Sequence, residues 1–148
     1  MIDDQPAGPP INYGRVALGG LVAGVVANIC DNISNGILLT DDMNRMTSRL
    51  NLDPDVVSSQ GVFVTWVVVD FIYAFLIVWT YAAVRPRLGP GPKTAIIAGL
   101  ILWGGITAVL LGYQQMGVFT FDSFLKSAGL LALSTILASL AGGAVYKE

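Results

Sequence analysis

The run VALGGLVAGVVANICDNISNGILL, Val16–Leu39, decides the fold. It is apolar and long enough to cross a bilayer, because ~20 residues rising ~1.5 Å each cover ~30 Å of hydrocarbon. Yet it carries Asn28, Asp31, Asn32 and Asn35. At about 100° per residue these four fall within roughly 100° of one helical face. A carboxylate at the centre of a bilayer costs about 2.5–3.5 kcal/mol on insertion scales, so function turns on what Asp31 faces.

Three further apolar runs follow, Val62–Val84, Thr94–Tyr113 and Phe124–Tyr146. Only 12% of the 148 residues are charged and the mean hydropathy is +0.68. Soluble domains are normally about 25% charged. The expected fold is all-α: one domain of four transmembrane helices in an up-down-up-down bundle, with a loop over residues 40–61. Met1–Gly14 is acidic and proline-rich and lacks the basic start of a signal peptide, so the first span is expected to remain as an anchor.

Positive charge sets the expected orientation. Arg15, Arg85, Arg87, Lys93 and Lys147 fall on one side. Arg45, Arg49 and Lys126 fall on the other, diluted by Asp41, Asp42, Asp53, Asp55 and Asp122. The bias places both termini in the cytoplasm. The segment Arg85–Lys93, with three prolines and two glycines, reads as a rigid reversal between two helical hairpins. Met43, Met46 and Leu50 fall at i, i+3 and i+7, the pattern of a short amphipathic helix on the membrane surface that ends near Asp53-Pro54. An ordered loop, or Pro54 as the first residue of a longer second helix, fits the same residues.

Small residues mark close-packing seams. Gly20, Gly24 and Gly36 share a face with the polar residues of the first span, and Gly20-x-x-x-Gly24 is a spacing that lets helices approach. Gly104, Ala108 and Gly112 form a second seam, and Gly142-Gly143 belongs to a third. On the packing reading, Asn28, Asn32 and Asn35 are interhelical hydrogen-bond partners; on the functional reading, their face lines a hydrated path.

Asp70 is the other charge inside a span, with Trp66 and Tyr73 on its side of the helix. Asp31 lies ~24 Å along its helix from Arg15, and Asp70 ~22 Å from Arg85. Antiparallel neighbours would bring the two to similar depth. Two carboxylates sharing a dry site cannot both ionise, so a pair would share a proton or hold a cation. The alternative has Asp31 bonded to the asparagines and Asp70 to Tyr73 or the Trp66 indole. No lysine or arginine lies within a span to neutralise either, although Lys126 near the start of the fourth can snorkel to the interface. Trp66, Trp79, Trp103, Tyr81, Tyr113 and Tyr146 fall partly at span ends, as an aromatic belt would.

Much is excluded. Cys30 is alone, so no intrachain disulfide forms, and the absence of histidine removes haem ligation by His, His-based metal sites and imidazole catalysis. No GxSxG, HExxH, P-loop or dinucleotide fingerprint occurs. A net charge of −2 without a basic cluster argues against nucleic acid. No enzyme, metal or cofactor is indicated.

The stretch from Gly14-Arg15-Val16 through Asn35-Gly36-Ile-Leu-Leu39, with Tyr81–Gly99, resembles small four-helix bacterial membrane proteins of no known activity. The resemblance implies a bacterial inner-membrane protein and supplies no functional residue. Two function classes follow: a non-catalytic subunit or oligomer-forming scaffold in contact with other membrane subunits or copies of itself, favoured by the small interior of four helices, and a mover of protons, cations or a small solute through Asp31 and Asp70.

Overall fold

Asn12 opens the first helix. Its side-chain oxygen accepts the Arg15 N–H at 3.0 Å, satisfying one of the donors that a helix start leaves without partners. Ser59 caps the second long helix in the same way, and Thr120 the fourth, while Pro92 opens the third at a position that needs no N–H. The computed structural model describes residues 10–146; the acidic N-terminal stretch up to Pro9 and Lys147 lie outside them. Its helices are α1 (Tyr13–Ile33), α2 (Thr40–Arg49), α3 (Pro54–Val57), α4 (Gln60–Leu88), α5 (Pro92–Gln115) and α6 (Phe121–Val145). No strand occurs among the described residues. The chain is an all-α bundle in which α1, α4, α5 and α6 are long and apolar enough to cross a membrane.

The four run alternately up and down. α1 packs on α4 and α6, and α5 packs on α6 and α4. The core is built from small residues, with Ala23, Ala74, Ala98 and Ala138 wholly buried beside Ile77 and Val78. Leu18, Leu21, Val25 and Ile29 of α1 point outward. This inverts the pattern of a soluble bundle. Lipid tails are as apolar as leucine, so nothing drives large side chains inward, and close packing of small ones holds the helices together.

The tightest approach is between α1 and α6. A Cβ on Gly19 would stand 2.8 Å from the Gly142 carbonyl oxygen, and one on Gly142 would stand 3.0 Å from that of Gly19. Gly20 and Gly24 do something different from a backbone-to-backbone seam: they receive the rings of Phe75 and Phe71 from α4. Gly143 packs against Ala95 and Tyr81. Gly36, Gly104 and Gly112 meet nothing within 4 Å where a Cβ would stand, and Ala108 is exposed. Those four do not form a seam inside the chain: Gly36 lies exposed in the turn after α1, and α5 turns Gly104, Ala108 and Gly112 away from its neighbours.

Three departures from the sequence reading have local causes. The first span ends in a wider turn over Ser34–Leu38, where the Leu39 N–H bonds the Ser34 carbonyl at 2.8 Å, five residues back. The second span continues through Pro86 to Leu88. Pro86 falls in the last turn, where little helix remains to be broken, and the Gly89 N–H closes onto the Arg85 carbonyl at 2.8 Å. Gly89 and Gly91, at φ +81° and +130°, then make the reversal. Finally, Tyr81 and Tyr146 are buried, not in a lipid-facing belt. Their rings meet edge to face at 5.9 Å, Arg85 lies over Tyr146, and the Tyr146 hydroxyl accepts the Asn12 N–H. Trp103 also turns inward, donating its indole N–H to the Ala128 carbonyl at 2.9 Å, whereas Trp66, Trp79 and Tyr113 remain exposed.

The amphipathic segment forms α2, and Pro54 opens the separate single turn α3, whose start the Asp53 carboxylate caps. α2 is tied to α6. Ser123 donates to Asp42 at 2.6 Å, and Lys126 bridges Asp42 at 3.4 Å and Asp122 at 2.6 Å. The Ser123 hydrogen bond foremost, with Lys126 and Arg45 adding to it against partial desolvation, holds Asp42 below the ordinary carboxylate value of 3.8. A lowered folded-state value means that the tether stabilises above the ordinary range and is lost as pH falls through the folded value. Amide exchange in α2, corrected for its intrinsic pH dependence, is therefore expected to be slow at pH 7 and to quicken below about pH 4. Asp42→Ala, which leaves Ser123 and Lys126 without that acceptor, should exchange quickly at both. Wild-type protection unchanged by acid would show that this carboxylate does not hold the helix.

Candidate intramembrane carboxyl site

The register between α1 and α4 repeats every four residues. Gly20 lies under Phe75, Gly24 under Phe71, and the Asn28 amide reaches the Val67 carbonyl at 3.5 Å. This fixes how the two helices are rotated. Side chains on a helix lean toward its N-terminus, and in an antiparallel pair those directions converge for Asp31 on α1 and Asp70 on α4. The two carboxyl groups face each other within hydrogen-bonding reach. Both side chains are half-buried.

α6 completes the site. Ser134 Oγ donates to Asp31 Oδ1 at 3.0 Å, and Tyr73 OH pairs with Thr135 Oγ1 at 3.2 Å. Tyr73 is thus a neighbour of the pair whose hydroxyl is engaged by α6 and not by Asp70. Asn28 donates to the Gly24 carbonyl at 2.9 Å, and its side-chain oxygen is buried with no hydrogen-bond partner among the described residues. Among the described residues neither carboxyl has a salt bridge.

The asparagines do not solvate Asp31. Asn32 donates to the Asn28 carbonyl and Asn35 to the main-chain carbonyl of Asp31, each one turn back on its own helix. Both are exposed, so of the three only Asn28 reaches another helix. Trp66 is 62% exposed and points away. Ser134 is the residue that sequence reasoning missed. The signal was the Ser134-Thr135 pair midway along an apolar span, where each hydroxyl needs a partner.

Chemically, the site is a set of hard oxygens in an apolar surround. Two facing carboxyls can share one proton as an acid–carboxylate pair, or bridge a small cation with hydroxyl and amide oxygens at hand. Exchange of the shared proton for a monovalent cation leaves the local charge unchanged. The Cys30 thiol also reaches Ser134, but among the described residues no three His, Cys, Asp or Glu side chains gather as a transition-metal site would need. No protein-family model matches the sequence, and no curated protein or solved structure matches it either.

Proposed function

We propose that the protein is a non-catalytic membrane protein that handles protons or monovalent cations, with Asp31 and Asp70 as the exchanging pair. The observation that supports this is the meeting of two carboxyls from α1 and α4 beside the neutral Ser134 hydroxyl, with no salt bridge to either among the described residues. Intramembrane carboxylates are costly and are retained where they serve ion pathways. In this reading the chain sits in a bacterial inner membrane with both termini in the cytoplasm.

Purified protein in liposomes tests it. Under an imposed proton or sodium gradient the wild type is expected to carry flux, and Asp31→Asn and Asp70→Asn should each abolish it while the protein stays folded. A hydrophobic carbodiimide, which attacks protonated carboxyls, should label one of the two in the wild type. Sodium should slow that labelling only if a cation competes for the pair. Wild type without flux under either gradient sinks the reading.

A second reading, an oligomer-forming scaffold or accessory subunit, is supported by the open face of α5. Gly104, Ala108 and Gly112 present a small-residue stripe with nothing within 4 Å of where a Cβ would stand on either glycine. Such a stripe admits another helix closely. Mild-detergent purification tests it, and a lone monodisperse monomer counts against it.

A further inference from the structure

At the end of the bundle opposite Asn12 and Tyr146, α2 runs beside the connection between α5 and α6. Between them is a cleft of about 420 Å³, lined by residues that include Arg45, Ser48, Arg49, Phe119 and Thr120. Arg45 and Arg49 are one helical turn apart, a spacing that sets two guanidinium groups side by side. Asp42, the carboxylate in the lining, is already engaged by Ser123 and Lys126. Among the described residues neither arginine has a salt bridge. The cleft therefore sets two arginines against one carboxylate that Ser123 and Lys126 already share, and its lining is net positive. Around it at the same end are exposed apolar side chains, Met116 at 77%, Phe121 at 57% and Leu50 at 41%. α2 emerges directly from the span that α1 begins, and α6 starts its own span at Phe121.

We propose that this cleft binds the phosphate of an anionic phospholipid headgroup. Arginine presents a planar fork of donors that matches phosphate oxygens two at a time. Two forks one turn apart can hold a single phosphodiester, while Phe119 and Met46 offer apolar contact to the glycerol and the start of the acyl chains. A zwitterionic headgroup fits less well, because its ammonium would lie against the same arginines. The membrane surface is also where such a ligand is always present. The inference is independent of the carboxyl pair, which lies on other faces of the bundle.

The full chain in mild detergent tests it, with retained lipid read by native mass spectrometry. Phosphatidylglycerol is expected to stay bound in preference to phosphatidylcholine. Arg45→Gln and Arg49→Gln should each lower its retention about tenfold, the loss of one charge-assisted pair. Arg87→Gln, at the opposite end, should change nothing. If the double glutamine variant does not fold, Arg45→Lys/Arg49→Lys keeps the charge without the forks and should still bind more weakly than wild type. Inorganic phosphate supplies the free-anion arm. Equal retention of the two lipids, retention unaffected by either arginine variant, or binding of inorganic phosphate without binding of phosphatidylglycerol would each overturn the proposal.

Discussion

Gly142→Ala is expected to lower the unfolding free energy in detergent by about 1–3 kcal/mol, whereas Gly104→Ala should leave it unchanged or slightly raised. The new methyl at position 142 would stand 2.5 Å from Val78 Cγ2 and 3.0 Å from both the Ala23 Cβ and the Gly19 carbonyl oxygen. None of these can yield. Val78 is wholly buried and β-branched, so its rotamers are few, and the Gly19 oxygen is main chain on the opposing helix. Relief requires α1 and α6 to separate, which loosens the seam that holds the carboxyl site's third helix in place. Gly20→Ala and Gly24→Ala are expected to cost less, although their nominal clashes are shorter, at 2.3 and 2.2 Å. They fall on the rings of Phe75 and Phe71, which are half-buried and can swing toward lipid. Thermal unfolding of the four variants would rank them. A Gly142→Ala protein as stable as wild type would mean that α1 and α6 are not in backbone contact.

The second large effect has the opposite sign. The double variant Asp31→Asn/Asp70→Asn is expected to be more stable than wild type by about 1–3 kcal/mol, even as it removes the proposed exchanging pair. The pair keeps a negative charge in an apolar surround with no salt bridge to it among the described residues, and an amide pair of nearly the same shape removes that charge. Asparagine at 31 retains an oxygen where Ser134 donates at 3.0 Å, and two facing amides can bond each other. Asp31→Ala should do worse than Asn, since the Ser134 hydroxyl loses its acceptor and a void opens. The same thermal assay applies. A double variant less stable than wild type would mark the carboxyls as a structural link and not a site held at a cost.

The four spans were legible because a run of ~20 apolar residues has few other uses. The meeting of Asp31 and Asp70 was legible only as matched depth. Rotation about each helix axis decides contact, and that rotation comes from Phe71 and Phe75 entering Gly24 and Gly20. A glycine spacing in sequence does not say whether a backbone or a ring will fill it. For the same reason Gly104, Ala108 and Gly112 looked like Gly20 and Gly24 yet face outward, since period alone cannot tell a filled groove from an empty one. Tyr81 and Tyr146 near span ends fit a lipid belt equally well by position. Their hydroxyls are engaged by backbone N–H groups outside their own helices, those of Gly91 and Asn12, which position in a span does not reveal. Ser134 and the Asp42 tether were hidden because they join segments 103 and 81 residues apart.

The wide turn at Ser34–Leu38 makes the first span unequal in its tolerance of changes in length. Every α-helical residue before it sets the azimuth of Asp31, so losing one between Gly20 and Cys30 would swing that carboxyl by ~100° and part it from Asp70. The wide turn already stores a surplus residue. A deletion among its five positions could be absorbed by tightening to an ordinary turn, keeping α2 in its seat on α6. Drift in chain length within this span is thus confined to the stretch beyond Asp31.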